Sequence, residues 1–373
     1  MEPSQPYRQE ALRVMISGGG TGGHIFPAIS IAQALEEILQ RVEILFVGAK
    51  GKMEMEKVPK AGYQIEGLWI SGIQRRLTWD NLAFPIKLIS SLLKSLRLIR
   101  KFQPDVVVGV GGYASGPLLF IAGQKGIPIL IQEQNSYAGL TNKWLAKRAK
   151  TICVAYEGLE RYFPSEKLVV TGNPVRKAIK LNPNRREEAY RYFNFKADKP
   201  TLLVIGGSLG ARTLNESMLR GLDTLKKQDI QVIWQCGGFY LNEMKERAGQ
   251  LPNYIVLLDF VLQIEFAYEV ADVVISRAGA LSIAELMLTG KPAVLVPSPN
   301  VAEDHQTLNA NALVDKAAAE MVKDEHAVEM LIPAAMELLI DEKRRQRLSK
   351  NISEMSHENA AIEIANEVIK LAS

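Results

Sequence analysis

Short runs of apolar residues recur along most of this chain, and segments with helical periodicity separate many of them. Strands that alternate with helices in this way predict parallel sheets with helices on both faces. The runs predicted to be strands are residues 13–16, Val42–Val47, Val106–Val110, Ile127–Gln132, Thr151–Val154, Leu168–Val170, Thr201–Ile205, Gln231–Gln235, Ile255–Leu258, Val273–Ile275 and Ala293–Val296.

The pattern of strand, glycine loop and helix occurs twice, near residue 13 and near residue 201. We therefore predict an α/β fold of two doubly wound, Rossmann-like domains that face each other across a cleft. The predicted divisions are a flexible tail (1–12), an N-terminal domain (13–172), a C-terminal domain (173–356) and an amphipathic helix in the last segment (357–373). Residues 172–176 read as a turn and linker.

Composition narrows the class of protein without identifying it. The chain has 373 residues, of which 47% are hydrophobic and 23% charged, so it can bury two cores. A net charge of +4 does not indicate a nucleic-acid partner. The two cysteines form no CxxC pair, so neither a zinc site nor a disulfide framework is expected. We expect no signal peptide and no membrane span.

The first glycine-rich stretch, Ser17–Pro27, precedes a helix predicted over Ala28–Leu39. This order of elements suits a phosphate or another anion, because glycine admits close approach and the helix N-terminus presents N–H groups. The glycine spacing also matches the dinucleotide fingerprint, but Val47–Lys50 lacks the acidic residue that should close the second strand. His24 is interpreted either as a base or substrate contact, or as a histidine packed under the loop.

The second glycine loop, Gly206–Arg212, is predicted to hold a diphosphate, with Arg176 as a bidentate partner or as an ordinary surface arginine. Ser282 and Glu285 have the spacing of a capping box. Alternatively, the Glu285 carboxylate accepts both hydroxyls of a ribose.

A basic and apolar segment, residues 74–101, departs from the alternating pattern. Pro85 is placed to open a helix there. One interpretation is a core helix with a solvated basic face, and the other is a surface that rests on anionic lipid. The residues predicted to contact the membrane are Arg75, Arg76, Leu77, Trp79, Leu82, Phe84, Lys94 and Arg97.

Several motifs occur along the chain in one order: Gly19-Gly20-Thr21-Gly22-Gly23-His24, Gly111-Gly112-Tyr113, Glu133-Gln134-Asn135, Gly172-Asn173-Pro174-Val175-Arg176, Gly207-Ser208-Leu209-Gly210-Ala211-Arg212, Arg277-Ala278-Gly279-Ala280-Leu281 and Gln306…Asn309-Ala310. As an ordered set they resemble the MurG-type N-acetylglucosaminyltransferases of glycosyltransferase family 28, which make lipid II of peptidoglycan from lipid I. The resemblance extends over nearly the whole chain after the tail.

The resemblance implies a GT-B fold in which the C-terminal helix returns to the first domain, and inverting transfer of N-acetylglucosamine with His24 as the general base. Donor contacts to UDP-N-acetylglucosamine carried over by motif are Thr21, Gly22, Gly23, Asn135, Arg176, Ser208, Val261, Ala280, Leu281, Ser282, Glu285 and Gln306, with His305 as the alternative to Gln306. Acceptor contacts are Gly19, Gly20, Gly111, Gly112 and Tyr113, with the first glycine loop as a cradle for the acceptor's pyrophosphate. Neither a metal nor a cofactor is implied.

The implied partners are UDP-N-acetylglucosamine, lipid I, anionic lipid of the inner leaflet and other cell-wall or division proteins, on the cytoplasmic face of the bacterial plasma membrane. Other functions on the same scaffold stay open at this point. They are a UDP-N-acetylglucosamine 2-epimerase, a lipid glucosyltransferase and a non-catalytic protein that binds nucleotide sugars.

Overall fold

The structure, a computed structural model, describes residues 11–72, 83–176, 179–207, 209–301 and 304–373. It divides into two compact units, each built around one sheet. Unit 1 comprises the described residues up to Val175 together with Asn359–Ser373, and unit 2 comprises Arg176–Glu358. Each unit has parallel strands with helices against the sheet, as the alternating pattern predicts.

Unit 1 contains a seven-stranded parallel sheet in the order β3-β2-β1-β4-β5-β6-β7. The strands are β1 (Leu12–Ser17), β2 (Val42–Ala49), β3 (Gln64–Leu68), β4 (Val106–Gly109), β5 (Ile129–Glu133), β6 (Thr151–Val154) and β7 (Leu168–Val170). The order reverses at β1, and such a switch point opens a crevice at the carboxyl ends of the strands.

The helices of unit 1 bury the two faces of this sheet. They are α1 (Gly22–Ile38), α2 (Glu54–Lys60), α3 (Phe84–Phe102), α4 (Ser115–Gln124), α5 (Leu140–Leu145) and, at the end of the chain, α14 (Ala360–Ala372). Met15 belongs to the core cluster on one face, whereas Val14 and Ile16 belong to the cluster on the other. The last helix packs on α1, where Ile364 and Val368 join the same cluster as Ile31.

Unit 2 contains a six-stranded parallel sheet in the order β10-β9-β8-β11-β12-β13, which reverses at β8. Its strands are β8 (Thr201–Ile205), β9 (Gln231–Gln235), β10 (Ile255–Leu258), β11 (Val273–Ser276), β12 (Ala293–Leu295) and β13 (Glu320–Met321). Its helices are α6 (Arg186–Phe193), α7 (Arg212–Lys227), α8 (Leu241–Ala248), α9 (Ile264–Val270), α10 (Ala280–Thr289), α11 (His305–Val314), α12 (Asp324–Ile340) and α13 (Glu342–Glu354).

The first helix begins earlier than the sequence indicates. We predict its start at Ala28, after the glycine-rich stretch, but α1 begins at Gly22 and continues through Pro27. Proline is favoured in the first turn of a helix, and this preference makes the residues before Pro27 read as a loop. The correction places His24 in the first turn of α1.

The chain leaves unit 1 at Val175 rather than at residue 172, the end of the predicted N-terminal domain. Asn173 explains this position, because its buried side chain accepts a hydrogen bond from Gln132 Nε2 (3.0 Å) and donates one to the Gln134 carbonyl (2.9 Å). The first half of the predicted linker is therefore fixed to β5.

We predict a flexible tail through residue 12, but Leu12 is the first residue of β1 and pairs with Val42. Within the described residues, no helix is long and apolar enough to cross a membrane.

Candidate active site

In unit 1, the predicted site residues lie on three loops that follow adjacent strands. The loop after β1 leads to His24, the loop after β4 contains Gly111, Gly112 and Tyr113, and the loop after β5 contains Asn135. Since parallel strands present their carboxyl ends at one edge, the sheet order brings these loops together.

The His24 side chain has a defined tautomer when it is neutral. Its Nδ1 lies 3.0 Å from the Gly19 carbonyl oxygen and 3.4 Å from Thr21 Oγ1. A carbonyl oxygen only accepts, so Nδ1 must donate its proton to Gly19. The neutral ring then carries its acceptor lone pair on Nε2, as a general base requires.

The loop after β4 fits against His24 and Gly19 only because two of its residues are glycines. Both have positive φ, 92° at Gly111 and 89° at Gly112. A Cβ on Gly111 would lie 2.9 Å from His24 Nε2, and a Cβ on Gly112 would lie 2.5 Å from the Gly19 carbonyl oxygen. These contacts place Nε2 beside Gly111.

A buried carboxylate, Glu54, occupies part of the predicted anion cradle. Its Oε2 accepts a hydrogen bond from the Gly20 N–H, and its Oε1 accepts one from the Ala49 N–H, both at 2.9 Å. The Gly20 N–H is therefore bound to protein, and a negative charge lies directly under the loop. Gly20 therefore has no free backbone N–H for the predicted pyrophosphate in this arrangement. No local motif identified Glu54, because its contact with Gly20 spans 34 positions of the chain.

Asn135 is held by a second buried carboxylate, Glu133. Glu133 Oε1 accepts from the Asn135 backbone N–H (3.1 Å) and from its side-chain amide (3.3 Å). Oε2 accepts from the Gly139 N–H and from Asn142, both at 2.9 Å. The glutamate thus shapes the turn that presents Asn135.

The predicted membrane segment is described only in part. Arg75, Arg76, Leu77, Trp79 and Leu82 lie outside the described residues. Pro85 lies in the first turn of α3, as predicted.

The other predicted membrane residues of α3 behave differently from one another. Lys94 donates to Glu66 Oε2 (2.7 Å) and to the Gly67 carbonyl (3.0 Å), so it fastens α3 to β3. Phe84 packs partly buried against the core, whereas Arg97 is exposed. Lys94 and Phe84 thus have partners within the protein, and the exposed face of α3 carries Ile86, Ile89 and Leu93.

In unit 2, Ser208 lies outside the described residues, but its neighbours in the second glycine loop do not. Gly207 and Gly210 have positive φ, 82° and 78°. A Cβ on Gly210 would lie 2.0 Å from the Cys236 carbonyl oxygen, so the loop rests directly on the backbone that follows β9.

Gln235, the last residue of β9, joins two of the predicted donor loops. Its buried side-chain amide donates to the carbonyl oxygens of Gly207 (2.8 Å) and Asp259 (3.0 Å). Asp259 precedes Val261, which is buried. Sequence reasoning missed Gln235 because it reads as an ordinary buried strand position.

Glu285 contacts protein groups that the sequence did not associate with it. Tyr268 Oη donates to Glu285 Oε2 at 3.0 Å. Desolvation raises the pKa of Glu285 to about 7, against the lowering effects of Arg176 and of the Tyr268 hydrogen bond. The effect of Arg176 on the Glu285 pKa indicates that these two predicted donor residues lie near each other.

The capping-box alternative for Ser282 and Glu285 is wrong. The N-cap of α10 is Gly279 and the helix begins at Ala280, so Ser282 lies inside the helix rather than at its cap. Ala280 is buried, and Leu281 and Ser282 are half-buried in the first turn. The carboxylate of Glu285 is therefore not needed for capping.

Gln306 lies in the first turn of α11, beside His305. Its Oε1 accepts the Ser298 backbone N–H at 2.9 Å, which ties the loop after β12 to the helix. Because the oxygen is bound there, the amide nitrogen of Gln306 is the end that suits a sugar hydroxyl.

Among the described residues, no group of three or more His, Cys, Asp or Glu side chains is arranged to hold a metal ion.

Two family models match the chain, one in its N-terminal half and one in its C-terminal half. The glycosyltransferase family 28 N-terminal domain matches residues 14–154, and the family 28 C-terminal domain matches residues 201–366. The chain belongs to glycosyltransferase family 28. It is thus a member of an enzyme family of glycosyltransferases, as the ordered motifs predicted.

Known proteins are similar to this chain over nearly its full length. The chain is 54% identical over 363 residues to the UDP-N-acetylglucosamine--N-acetylmuramyl-(pentapeptide) pyrophosphoryl-undecaprenol N-acetylglucosamine transferase of Cytophaga hutchinsonii, covering 97% of this chain and 98% of the relative. Among solved structures, Acinetobacter baumannii MurG aligns with a TM-score of 0.77 and 29% identity over 96% of this chain and 99% of that one. These matches confirm the predicted GT-B fold class.

A UDP-N-acetylglucosamine 2-epimerase structure also aligns, with a TM-score of 0.66 over 96% of both chains. The identity is only 15%, so this likeness shows a shared fold and nothing about activity.

Proposed function

We propose that this chain transfers N-acetylglucosamine from UDP-N-acetylglucosamine to lipid I, the undecaprenyl-pyrophosphoryl-linked muramyl pentapeptide, and so forms lipid II. The observation that carries the proposal is the 54% identity to a transferase of that name, across 97% of this chain. The predicted motifs lie at the carboxyl edges of both sheets, where open α/β folds bind their ligands.

The proposed chemistry is a direct displacement that inverts the anomeric centre. The 4-hydroxyl oxygen of the muramoyl sugar forms a bond to C1 of N-acetylglucosamine, and the bond from C1 to the β-phosphate oxygen breaks. The hydroxyl proton passes to a base, and UDP leaves with the electron pair of the broken bond. His24 Nε2 is the proposed base, since its Nδ1 donates to the Gly19 carbonyl.

The donor is assigned to unit 2. The Ser208 loop and Arg176 would offset the charge that develops on the departing UDP. Glu285 would hold the ribose hydroxyls, the backbone at Val261 would read the uracil, and Gln306 would meet the sugar. Gln235 supports this assignment, because it holds the Gly207 and Asp259 loops together.

The acceptor is assigned to unit 1, with one change from the cradle that the sequence predicted. Because the Gly20 N–H binds Glu54, we place the acceptor's pyrophosphate at the first turn of α1. That turn and its N-cap include Thr21, Gly22 and Gly23, which the family resemblance implied as donor contacts, so this proposal changes their assignment. The positive end of the helix dipole favours an anion at that point.

The exposed face of α3 is the proposed contact with the membrane in which the acceptor's polyprenyl chain resides. Ile86, Ile89 and Leu93 are 64%, 58% and 60% exposed, and Arg97 and Arg100 continue the same face. Apolar side chains with neighbouring basic residues suit the surface of a bilayer that contains anionic lipid. We accordingly propose that the protein acts at the inner face of the plasma membrane.

The decisive experiment is UDP release from UDP-N-acetylglucosamine with and without a lipid I analogue. We expect release that depends on the acceptor, together with a disaccharide product of inverted configuration. Release without the acceptor, an epimerised sugar, or transfer to diacylglycerol in its place would each contradict the proposal. Binding of the donor without turnover would indicate a non-catalytic protein.

A further inference from the structure

A partly buried ion pair in unit 2 connects the loops after β11 and β12 with the helix that follows the loop after β8. These are three of the proposed donor loops. Arg277, the first residue after β11, pairs through Nη1 with Asp324, the first residue of α12. The side chains are only 13% and 20% exposed, respectively. Asp324 belongs to none of the motifs that the sequence singled out.

The Arg277 guanidinium also holds the loop after β12. Its Nη1 donates to the carbonyl oxygens of Val296 (3.1 Å) and Pro297 (3.2 Å). Pro297 precedes Ser298, whose N–H is bound by Gln306. One cation therefore links the segment that leads into α10 with the segment that leads into α11.

The other oxygen of Asp324 reaches the helix that follows the second glycine loop. Thr213 Oγ1 donates to Asp324 Oδ2 at 3.0 Å, and Thr213 lies in the first turn of α7. Further along the same pair of helices, a Cβ on Gly221 would lie 2.5 Å from Ile332, so α7 and α12 pack closely side by side. Asp324 joins their amino ends.

We propose that Asp324 is a positioning residue for donor binding, which acts through Arg277 and Thr213 to fix the loops after β8, β11 and β12 relative to one another. This proposal rests on the proposed function, because that function assigns the nucleotide sugar to these loops. Arg277 acts by bracing the loops, since its Nη1 is held by a carboxylate and two carbonyl groups.

A nucleotide diphosphate sugar requires the protein's hydrogen-bonding groups at fixed positions, and loops alone hold such groups poorly. A carboxylate that accepts from two elements, paired with a guanidinium that donates to a third, leaves little freedom at the site. Asp324 also compensates the Arg277 charge, which would otherwise stand uncompensated in a partly buried place.

Three variants test the proposal by steady-state kinetics and by calorimetric UDP binding. Asp324→Asn removes the charge, Thr213→Val removes the hydroxyl with little change of shape, and Thr213→Ser retains the hydroxyl. Glu320→Gln is the matched control, because Glu320 forms a partly buried ion pair with Arg344 between β13 and α13. Thermal melting of each variant reports on folding.

We expect Asp324→Asn to raise the donor KM and the UDP dissociation constant roughly tenfold, because the loops that Asp324 holds would shift by a fraction of an ångström. Thr213→Val should raise both in the same direction, Thr213→Ser should match the wild type, and the acceptor KM should stay unchanged. Glu320→Gln should lower the melting temperature while leaving UDP affinity unchanged.

If Asp324→Asn retains the wild-type donor KM, tightens UDP binding, or raises donor and acceptor KM equally, the proposal is overturned. Should Asp324→Asn fail to fold, unchanged UDP affinity in a folded Thr213→Val would overturn it as well. A wild-type protein that binds UDP but does not transfer to lipid I contradicts the proposed function alone, because UDP binding tests Asp324 without the acceptor.

Discussion

His24 is the residue whose environment says most about its proposed chemistry. The hydrogen bond to the Gly19 carbonyl orients the ring and fixes the proton on Nδ1, and the Gly111 backbone packs beside Nε2. The same hydrogen bond also supports the glycine loop. An experiment must therefore separate the proposed role of His24 as a base from its role in supporting the loop.

An asparagine at this position separates the two roles. Its side-chain amide can donate to Gly19 as Nδ1 does, but it has no basic nitrogen. We expect His24→Asn and His24→Ala to lower kcat similarly, by about 10²–10⁴-fold, with UDP affinity unchanged. His326→Ala, at an exposed histidine of unit 2, should retain full turnover. Near-normal kcat in His24→Asn would leave His24 with a supporting role only.

The raised pKa of Glu285 predicts how donor affinity depends on pH. In the empty protein, desolvation shifts this pKa from 4.5 to about 7, so the carboxyl is largely protonated at pH 6 and ionised at pH 8. A carboxylate accepts two ribose hydroxyls better than a protonated carboxyl does. UDP should therefore bind more weakly at pH 6 than at pH 8, by roughly five- to tenfold.

Calorimetry at the two pH values tests this, with Glu285→Gln as the control. The ionisation of UDP itself changes equally in the experiments with the wild type and with Glu285→Gln. Only the difference in the pH dependence of UDP affinity between the two proteins therefore reports on Glu285. If Glu285→Gln shows the same pH dependence of UDP affinity as the wild type, the Glu285 carboxyl is not the source of that dependence.

The free energy of unfolding should change with pH in the opposite direction. Burial favours the protonated Glu285 carboxyl. Its contribution to the stability of the fold is therefore fully present below pH 4.5 and is lost as pH rises through 7.

Contacts between loops also hold the unit 1 site together. The backbone at Gly112 lies against Gly19, and the chain offers a matched comparison at Gly126. Both glycines have positive φ, 89° and 74°, but an added Cβ at Gly126 would have no neighbour within 4 Å. Alanine at either position bears the same backbone strain, and only alanine at Gly112 would push the two loops apart.

We expect Gly126→Ala to lower the free energy of unfolding by about 1 kcal/mol without changing turnover. Gly112→Ala should lower it further and should reduce kcat, because it displaces the carbonyl that orients His24. Denaturant titration and acceptor-dependent UDP release measure both quantities. Equal effects of the two substitutions on turnover would mean that the contact with Gly19 does not support the site.

The sequence predicts these elements well where burial alone defines them. Continuous apolar runs such as Val106–Val110 and Thr201–Ile205 coincide with buried central strands. The edge strands β3 and β13 were missed, because β3 contains Glu66 and Gly67 and β13 has only two residues. The predicted strand at Ile127 begins two residues later, at Ile129, after Pro128.

The supporting residues of the site could not be predicted in this way. Glu54 and Gln235 act on loops that are 24 to 34 positions distant in the chain, and Asp324 binds Arg277 and Thr213 over 47 and 111 positions. Nothing local marks them, since their distant partners are backbone groups, an arginine and a threonine that only the folded chain brings near. Local motifs indicate the residues that we propose to contact a ligand, whereas the residues that hold the motifs in place depend on tertiary contacts.

For the molecule as a whole, the proposed acceptor resides in a membrane, so the protein must reach that surface. The exposed face of α3 combines Ile86, Ile89 and Leu93 with Arg97 and Arg100, while Lys94 is turned toward Glu66. Insertion of the apolar residues and attraction of the basic ones should add, since each acts on a different part of the lipid.

Ile89→Ser combined with Leu93→Ser should weaken binding to vesicles that contain phosphatidylglycerol by tenfold or more, because about 1.5–3 kcal/mol accompanies full burial of each such side chain. Arg97→Gln with Arg100→Gln should weaken vesicle binding less. At high salt this arginine variant should bind the vesicles as the wild type does, because salt screens the attraction to anionic lipid. Ile340→Ser is the control, since Ile340 is 77% exposed on unit 2. Turnover of a short-chain, water-soluble acceptor should be unchanged in every variant. If the Ile89 and Leu93 variant still sediments with these vesicles as the wild type does, α3 is not the membrane contact.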